Sequence, residues 1–285
     1  DDKPSWNVPA WYPGADPLAR DVAEKVQKLR KEALATGKTQ KDANQDIRGP
    51  AWAALDLPED EFPDGKTASK AIEVLKEIKD KPFFLAVGFV KPHLPFVAPK
   101  KYWELYSKDK IKLPNMKPPQ DVPPIALHTI GELRKYMDIP DKGPLSEAQA
   151  YEMIHGYYAA TSFMDAQVGR VLAELEKLGL RERTIVILWG DHGWQLGDHG
   201  LWCKHTNFEI AARAPLIISV PGQKNAGAKT EALVEFVDVY SSLSELCGLS
   251  LPEGLEGMSF VPLLSDPKRE WKKAAFSQYP RGKAM

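Results

Sequence analysis

The sequence predicts an α/β fold with a largely parallel central sheet flanked by helices. Three observations carry that expectation. Short continuous apolar runs, Phe83-Phe84-Leu85-Ala86-Val87-Gly88-Phe89 and Thr184-Ile185-Val186-Ile187-Leu188-Trp189, have the length and composition of strands buried on both faces. Segments with helical apolar spacing precede them, as crossover connections require. The second run stops abruptly at Gly190-Asp191-His192-Gly193, which sets a carboxylate and an imidazole at a strand's C-terminal end. That edge is where open α/β sheets bind ligands.

Taken in order, the first 15 residues are rich in Pro and Trp and read as irregular. Asp16-Pro17 reads as a helix start, with Asp as N-cap, Pro in the first turn and an apolar stripe of Leu18, Val22, Val26 and Leu29. Residues 36–66 are polar with scattered Gly and Pro and read as a long loop. Thr67 caps a second helix with Ala68, Ala71, Ile72, Leu75 and Ile78 on one face, ended by Asp80-Lys81-Pro82. After the first strand, residues 91–124 form a long proline-rich loop with one helical turn near residues 101–106. Loops of that length inside a domain tend to carry function. Ser146-Glu147-Ala148-Gln149 is a capping box. It opens the longest helix, which runs to about Leu178 with Met164, Val168, Val171, Leu172 and Leu175 at helical spacing, and Gly179 closes it. Residues 215–220 read as another buried strand, and residues 232–247 as a helix facing the core through Val234, Val237, Val239, Leu243 and Leu246.

The totals bound the function. With 285 residues the chain is long enough for one large domain or two smaller ones. Its formal net charge is −1, and no Lys/Arg stripe is interleaved with aromatics, so nucleic acid is not an expected partner. No apolar run approaches the roughly 18 residues that cross a bilayer. The polar start Asp1-Asp2-Lys3-Pro4 has no leader-peptide pattern. Of the two cysteines, Cys247 reads as a buried thiol at a helix C-terminus. Cys203 lies in the polar loop and also reads as a plain buried thiol, because no zinc-type cysteine cluster accompanies it.

Several residues are suited to chemistry. Asp191 and His192 follow the strand directly, on a rigid element, and are well placed to hold a metal ion. The pattern repeats at Asp198-His199, inside the loop, where a turn or supporting role fits better. His93 sits between Pro92 and Pro95, and two prolines aim an imidazole at little entropic cost. It reads equally as a proton donor or anion contact and as a loop-packing histidine. Lys204 lies in a loop over the Asp-His strand end and suits a tetrahedral oxyanion as a point charge, although a lone lysine is usually just solvated. Trp194 suits either a sugar-facing wall or loop packing, and Trp202 packing. His128 and His155 have no companions and read as structural.

These residues carry a family resemblance. The stretch from Lys81-Pro82-Phe83-Phe84 to Lys91-Pro92-His93-Leu94-Pro95-Phe96 resembles the iduronate-2-sulfatase-like branch of the sulfatases. So do Gly190-Asp191-His192-Gly193-Trp194, Gly197-Asp198-His199-Gly200, Trp202 and Lys204. The segments Gly156-Tyr157-Tyr158-Ala159-Ala160, Asp165-Ala166-Gln167-Val168-Gly169-Arg170 and Ser277-Gln278-Tyr279-Pro280-Arg281 agree with it. The resemblance implies an alkaline-phosphatase-like fold, incomplete in this chain, and hydrolysis of sulfate esters on a sugar or glycosaminoglycan-like substrate. It divides the chain into an irregular and helical segment 1–66, part of the catalytic α/β domain at 67–265, and the start of a C-terminal subdomain at 266–285. It implies a divalent metal, usually calcium, with Asp191 and His192 as two ligands, and an exported protein. It makes His93 and Lys204 the catalytic contacts to the sulfate, and Trp194 and His205 substrate-binding. It places the nucleophile, a formylglycine made in a Cys/Ser-x-Pro/Ala-x-Arg motif, outside this chain: neither Cys203 nor Cys247 stands in that motif, and no serine is expected to. The isolated chain is therefore expected to be inactive. Two alternatives stay open: a phosphoester or phosphonate hydrolase of the same superfamily, and a non-catalytic binder of sulfated glycans.

Overall fold

The computed structural model describes residues 5–128 and 130–277. In chain order the elements are α1 (Arg20–Ala35), α2 (Gln40–Asp46), β1 (Trp52–Leu55), α3 (Pro63–Ile78), β2 (Phe96–Pro99), α4 (Lys100–Trp103) and α5 (Glu147–Lys177). Then follow β3 (Val186–Trp189), β4 (Gln195–Leu196), β5 (Trp202–Cys203), α6 (Glu209–Ala212), β6 (Leu216–Ser219), α7 (Val237–Leu246) and α8 (Val261–Ser265). The chain packs as two compact units, residues 1–180 with 194–204, and residues 181–193 with 205–285.

In the first unit, the long helix α5 is the spine. Its Ser146 hydroxyl accepts the Gln149 N–H while the Gln149 side chain accepts the Ser146 N–H, the expected capping box. One group of buried α5 side chains, Ala150, Met153, Ile154 and Ala160, packs with Leu94, Phe96, Trp194 and Trp202. Another, Ala159 and Phe163, packs with Phe62, Val97 and Trp103. Gly156 lies where β2 and α4 cross the helix: a Cβ there would stand 2.9 Å from both Phe96 Cβ and the Trp103 ring. The buried face is weighted toward the first half of α5, so the expected core residue Leu172 is instead exposed.

Several local expectations give way to long-range contacts. Asp16 does not cap α1, which begins at Arg20 after Ala19 with no side-chain cap. The Asp16 carboxylate instead accepts a 2.8 Å bond from the Lys91 ammonium, whose side chain is fully buried. A buried ammonium left without its anion costs more than a helix cap contributes. Of the expected α1 stripe, only Val26 is buried. The segment 36–66 is not a loop: it contains α2, β1 and the first turn of α3. β1 pairs in parallel with β2, Trp52 opposite Phe96, a partner that composition near residue 52 cannot reveal. Helix α3 starts at Pro63, the position that favours proline, and Thr67 is a buried interior residue of it.

The run at 83–89 forms no strand and joins no ladder among the described residues. Exposure alternates along it, and Phe84 is 71% exposed, with Trp6 against its ring. It has strand composition without a partner strand, so it is not buried on both faces. Its end is fixed: Asp64, fully buried in the first turn of α3, accepts the Val90 N–H at 2.7 Å and the Lys91 N–H at 2.9 Å. Burial pushes this carboxyl above its usual range, further than those two bonds and the Lys91 charge pull it down.

The second unit is built on β3 and β6, which pair antiparallel with Val186 opposite Ser219. The expected parallel arrangement is absent here because no long crossover helix lies between them; α6 has only 4 residues. Neither strand is fully buried. One face, with Ile187, Leu216 and Ile218, packs on Val239, Phe260 and Leu263. Helix α7 starts at Val237, later than its apolar spacing suggests, because buried Asp238 accepts the Glu235 and Met258 N–H groups and the Lys272 ammonium. Cys247 terminates α7 exposed rather than buried. Of the motif at 277–281, only Ser277 falls within the described residues, and Asp1-Asp2 also lies outside them.

Asp64→Ala removes both acceptors at once and is expected to destabilise the protein by about 2–4 kcal/mol in urea unfolding. Asp64→Asn keeps one acceptor and should fall between that variant and wild type.

Candidate functional site

A short hairpin and a rigid loop bring the polar residues of the first unit together. β4 and β5 pair antiparallel, Gln195 opposite Cys203, around the turn at Asp198-His199-Gly200. The His199 N–H donates to the Asn115 carbonyl at 3.1 Å, and a Cβ on Gly200 would stand 2.9 Å from the Met116 carbonyl oxygen. The second Asp-His pair therefore pins the proline-rich loop, as a turn. At the end of β5, buried Cys203 adopts φ +70°, a left-handed conformation unusual for a side chain bearing a Cβ, and Lys204 follows. On the other side, the Lys91-Pro92 and Leu94-Pro95 bonds are both cis, and the Lys91 ammonium donates to the Pro95 carbonyl at 2.8 Å. His93 Nδ1 lies 2.7 Å from the Leu94 carbonyl. A carbonyl only accepts, so Nδ1 carries the hydrogen and Nε2 faces the site.

At Nε2 the structure brings His93 and Lys204 together, 2.6 Å from Nε2 to Nζ. A third residue, which the sequence reading missed, closes the group. Glu132 Oε1 lies 3.0 Å from His93 Nε2 and 3.1 Å from Lys204 Nζ. Ile130 and Leu133, both in the core, flank Glu132 in sequence and anchor its loop. Burial pushes the Glu132 carboxyl up, but the His93 hydrogen bond and the Lys204 charge outweigh it and hold the group down at about 2. No motif or periodicity marks Glu132. The only available signal was physical: a part-buried lysine beside a histidine calls for an anion.

Trp194 packs beneath this group. Its indole meets the His93 ring edge-on at 5.3 Å between centroids, and Lys204 Nζ lies 5.0 Å from the ring centre. It is only 8% exposed, so it offers little surface to a substrate. Trp202 is a core residue, as expected. His128 and His155 make packing bonds: His128 Nδ1 accepts the Ile130 N–H at 3.0 Å, and His155 Nε2 lies 2.8 Å from the Trp103 carbonyl. Cys203 is fully buried, and burial, aided by the Glu132 charge, pushes its thiol far up.

Asp191 and His192 belong to the second unit, after β3, and His205 begins that unit's later segment, part-buried. Asp191 Oδ2 and His192 Nε2 lie 3.4 Å apart, the Asp191 side chain 85% exposed. His192 Nδ1 bonds the Gly193 carbonyl at 2.7 Å, which turns Nε2 toward the carboxylate. One oxygen and one nitrogen donor converging in this way fit two positions of a divalent-metal coordination sphere. Among the described residues no cluster of three or more His, Cys, Asp or Glu side chains could complete it.

Contrary to the expectation that no serine stands in the formylglycine motif, one does spell it: Ser265-Asp266-Pro267-Lys268-Arg269. Ser265 is exposed at the C-terminal end of α8, its carbonyl accepts from Asn225, and Arg269 lies over the Trp271 ring. None of these contacts offers a base to the hydroxyl, and no nucleophile is assigned on this chain.

Residues 22–249 match the family model described as Sulfatase. The chain is 34% identical to iduronate 2-sulfatase of Mus musculus, over 88% of this chain and 50% of that protein. It is 37% identical to iduronate 2-sulfatase of Homo sapiens, over 74% of this chain and 40% of that protein. The phosphonate monoester hydrolase of Agrobacterium radiobacter superposes with a TM-score of 0.69 at 23% identity, covering 90% of this chain and 55% of that one. The fold is thus alkaline-phosphatase-like α/β, and the chain belongs to the sulfatase family. Within that family, and so within the alkaline phosphatase superfamily, it is iduronate-2-sulfatase-like. The chain spans about half the length of the curated relatives it matches.

Two expectations follow from the geometry. A thiol reagent applied to the folded chain should modify exposed Cys247 and leave Cys203 untouched, both reacting in denaturant. Because the Glu132 carboxyl is depressed from 4.5 to about 2, its charged form stabilises the fold above the ordinary carboxylate range. That contribution disappears as pH falls toward 2, so the urea midpoints of wild type and Glu132→Gln should converge between pH 5 and pH 2.5.

Proposed function

We propose that the complete polypeptide carrying this chain hydrolyses sulfate esters on a sugar or glycosaminoglycan-like substrate. The convergence of His93 Nε2 and Lys204 Nζ at 2.6 Å, from segments 111 residues apart, supports this reading most directly. An ammonium and an imidazole at one point, the ring oriented by the Leu94 carbonyl so that Nε2 faces the site, suit an oxyanion whose leaving group takes a proton from Nε2 once the ring is protonated.

In the proposed reaction the sulfate oxygens lie against the Lys204 ammonium, a compact positive charge. As the nucleophile's oxygen forms its bond to sulfur, the bond from sulfur to the sugar oxygen breaks; the sugar oxygen takes that electron pair and the Nε2 proton of a protonated His93, which is left neutral with its hydrogen on Nδ1. The Leu94 carbonyl holds the ring in the orientation this transfer needs. Trp194 excludes water from beneath the pair, and His205, next to Lys204 in the chain, is a substrate contact. Asp191 and His192 would hold two positions of a divalent metal, calcium by the family pattern, which would supply positive charge. The nucleophile, a formylglycine by the same pattern, comes from outside residues 1–285. No helix among the described residues is long and apolar enough to cross a membrane, and we read the protein as exported, as family members of this type usually are.

The test is turnover of an aryl sulfate by the complete polypeptide. His93→Ala and Lys204→Ala should each lower kcat/KM by about 10²–10⁴ with the fold intact by circular dichroism. Chelation of divalent metal should abolish activity, and residues 1–285 alone should show none. Preferred hydrolysis of a phosphonate or phosphate ester, or sulfated-glycan binding without turnover, would replace the proposal.

A further inference from the structure

We propose that Glu132 is the positioning residue of the His93–Lys204 pair, and that its negative charge makes the pair favour a monoanionic sulfate ester over a dianionic phosphate ester. This rests on reading the pair as the sulfate contact.

An ammonium and an imidazole 2.6 Å apart attract only while the imidazole Nε2 accepts. Once Nε2 is protonated, as the transfer to a leaving group requires, two cations face each other and would separate. Glu132 removes that conflict. Its Oε1 lies 3.0 Å from Nε2 and 3.1 Å from Nζ, so the same oxygen accepts from lysine in one state and from both groups in the other. Its side chain is 14% exposed, in a loop anchored by buried Ile130 and Leu133, so it cannot swing away cheaply. Lys204 is constrained as well, following Cys203, which is fully buried at φ +70°. The pair is therefore pre-assembled before any substrate arrives.

The charge balance is the second consequence. Lys204 and Glu132 cancel, so the group is neutral when His93 is neutral and carries +1 when His93 is protonated. A sulfate monoester carries one negative charge. A phosphate monoester carries nearly two at neutral pH, since its second ionisation falls near 6. A fixed carboxylate at hydrogen-bond distance from both donors repels the additional charge, and discrimination of this kind is built from such repulsion. Neutralising Glu132 without changing its shape should weaken the repulsion while loosening the pair.

The test compares wild type, Glu132→Gln and Glu132→Asp in the complete polypeptide, with aryl sulfate and aryl phosphate as substrates. Glu132→Gln is expected to lower kcat for the sulfate more than it raises KM. It should also shift the sulfate-to-phosphate ratio of kcat/KM toward phosphate by about tenfold or more. Glu132→Asp, which keeps the charge, should retain most of the sulfate preference. Equal losses on both esters, or an unchanged ratio, would overturn the proposal. Calorimetric binding of the aryl sulfate and the aryl phosphate, the monoanion and the near-dianion themselves, separates the two layers of the argument. If no variant turns over either ester, the functional reading fails, and the ratio of the two affinities still decides the role of Glu132. That ratio must move toward phosphate in Glu132→Gln, and if it does not, the inference is wrong.

Discussion

The polar group depends on one indole. Trp194 touches the His93 ring with its edge and lies under the Lys204 ammonium, while its other neighbours, Phe96 among them, belong to the core around α5. A ring quadrupole attracts a cation and excludes water, which raises the value of every charge interaction above it. The three polar residues come from a proline-locked loop, an irregular loop and a hairpin, with no secondary structure in common. What His93 and Lys204 share is this apolar floor, and the floor exists because the segment 194–204 packs with the first unit although the chain on both sides of it packs with the second.

The sequence made some of this legible and concealed the rest, for physical reasons. The capping box at Ser146 is local and legible in the sequence, as is the stop at Gly179, which takes φ +67°. The start of α1 is not legible, because the signal at Asp16 is true of the residue and false of its partner: the carboxylate serves Lys91, 75 positions away. β1 was hidden because four residues carry too little pattern without their parallel neighbour. Helix α7 began late because Asp238 was claimed by backbone N–H groups rather than by the periodicity around it.

The site followed the same division. Motif residues with unusual local chemistry, His93 between prolines and Asp191-His192 after a strand, were visible. Glu132 was not, since an acidic residue in a loop looks like any solvated charge until its neighbours are known. Trp194 was visible as a candidate, but the sequence left open whether it faced a ligand or the core, and its burial favours the core. Ser265 shows the opposite hazard: it spells a motif while sitting exposed at a helix end.

The unpaired run after α3 is also the stretch of this chain most open to pairing with another copy of itself. From residue 83 to residue 90 it carries no charge and no proline, and among the described residues its backbone groups from 83 to 89 make no hydrogen bond. Segments of that kind template cross-β stacking when left accessible. The residues at its two borders have the character of gatekeepers: Lys79, Asp80, Lys81 and Pro82 before it, Lys91 and Pro92 after it. The punctuation that ends one helix and begins the His93 loop thus also guards a sticky segment against self-assembly, so substitutions at these borders bear on solubility as well as on the position of His93.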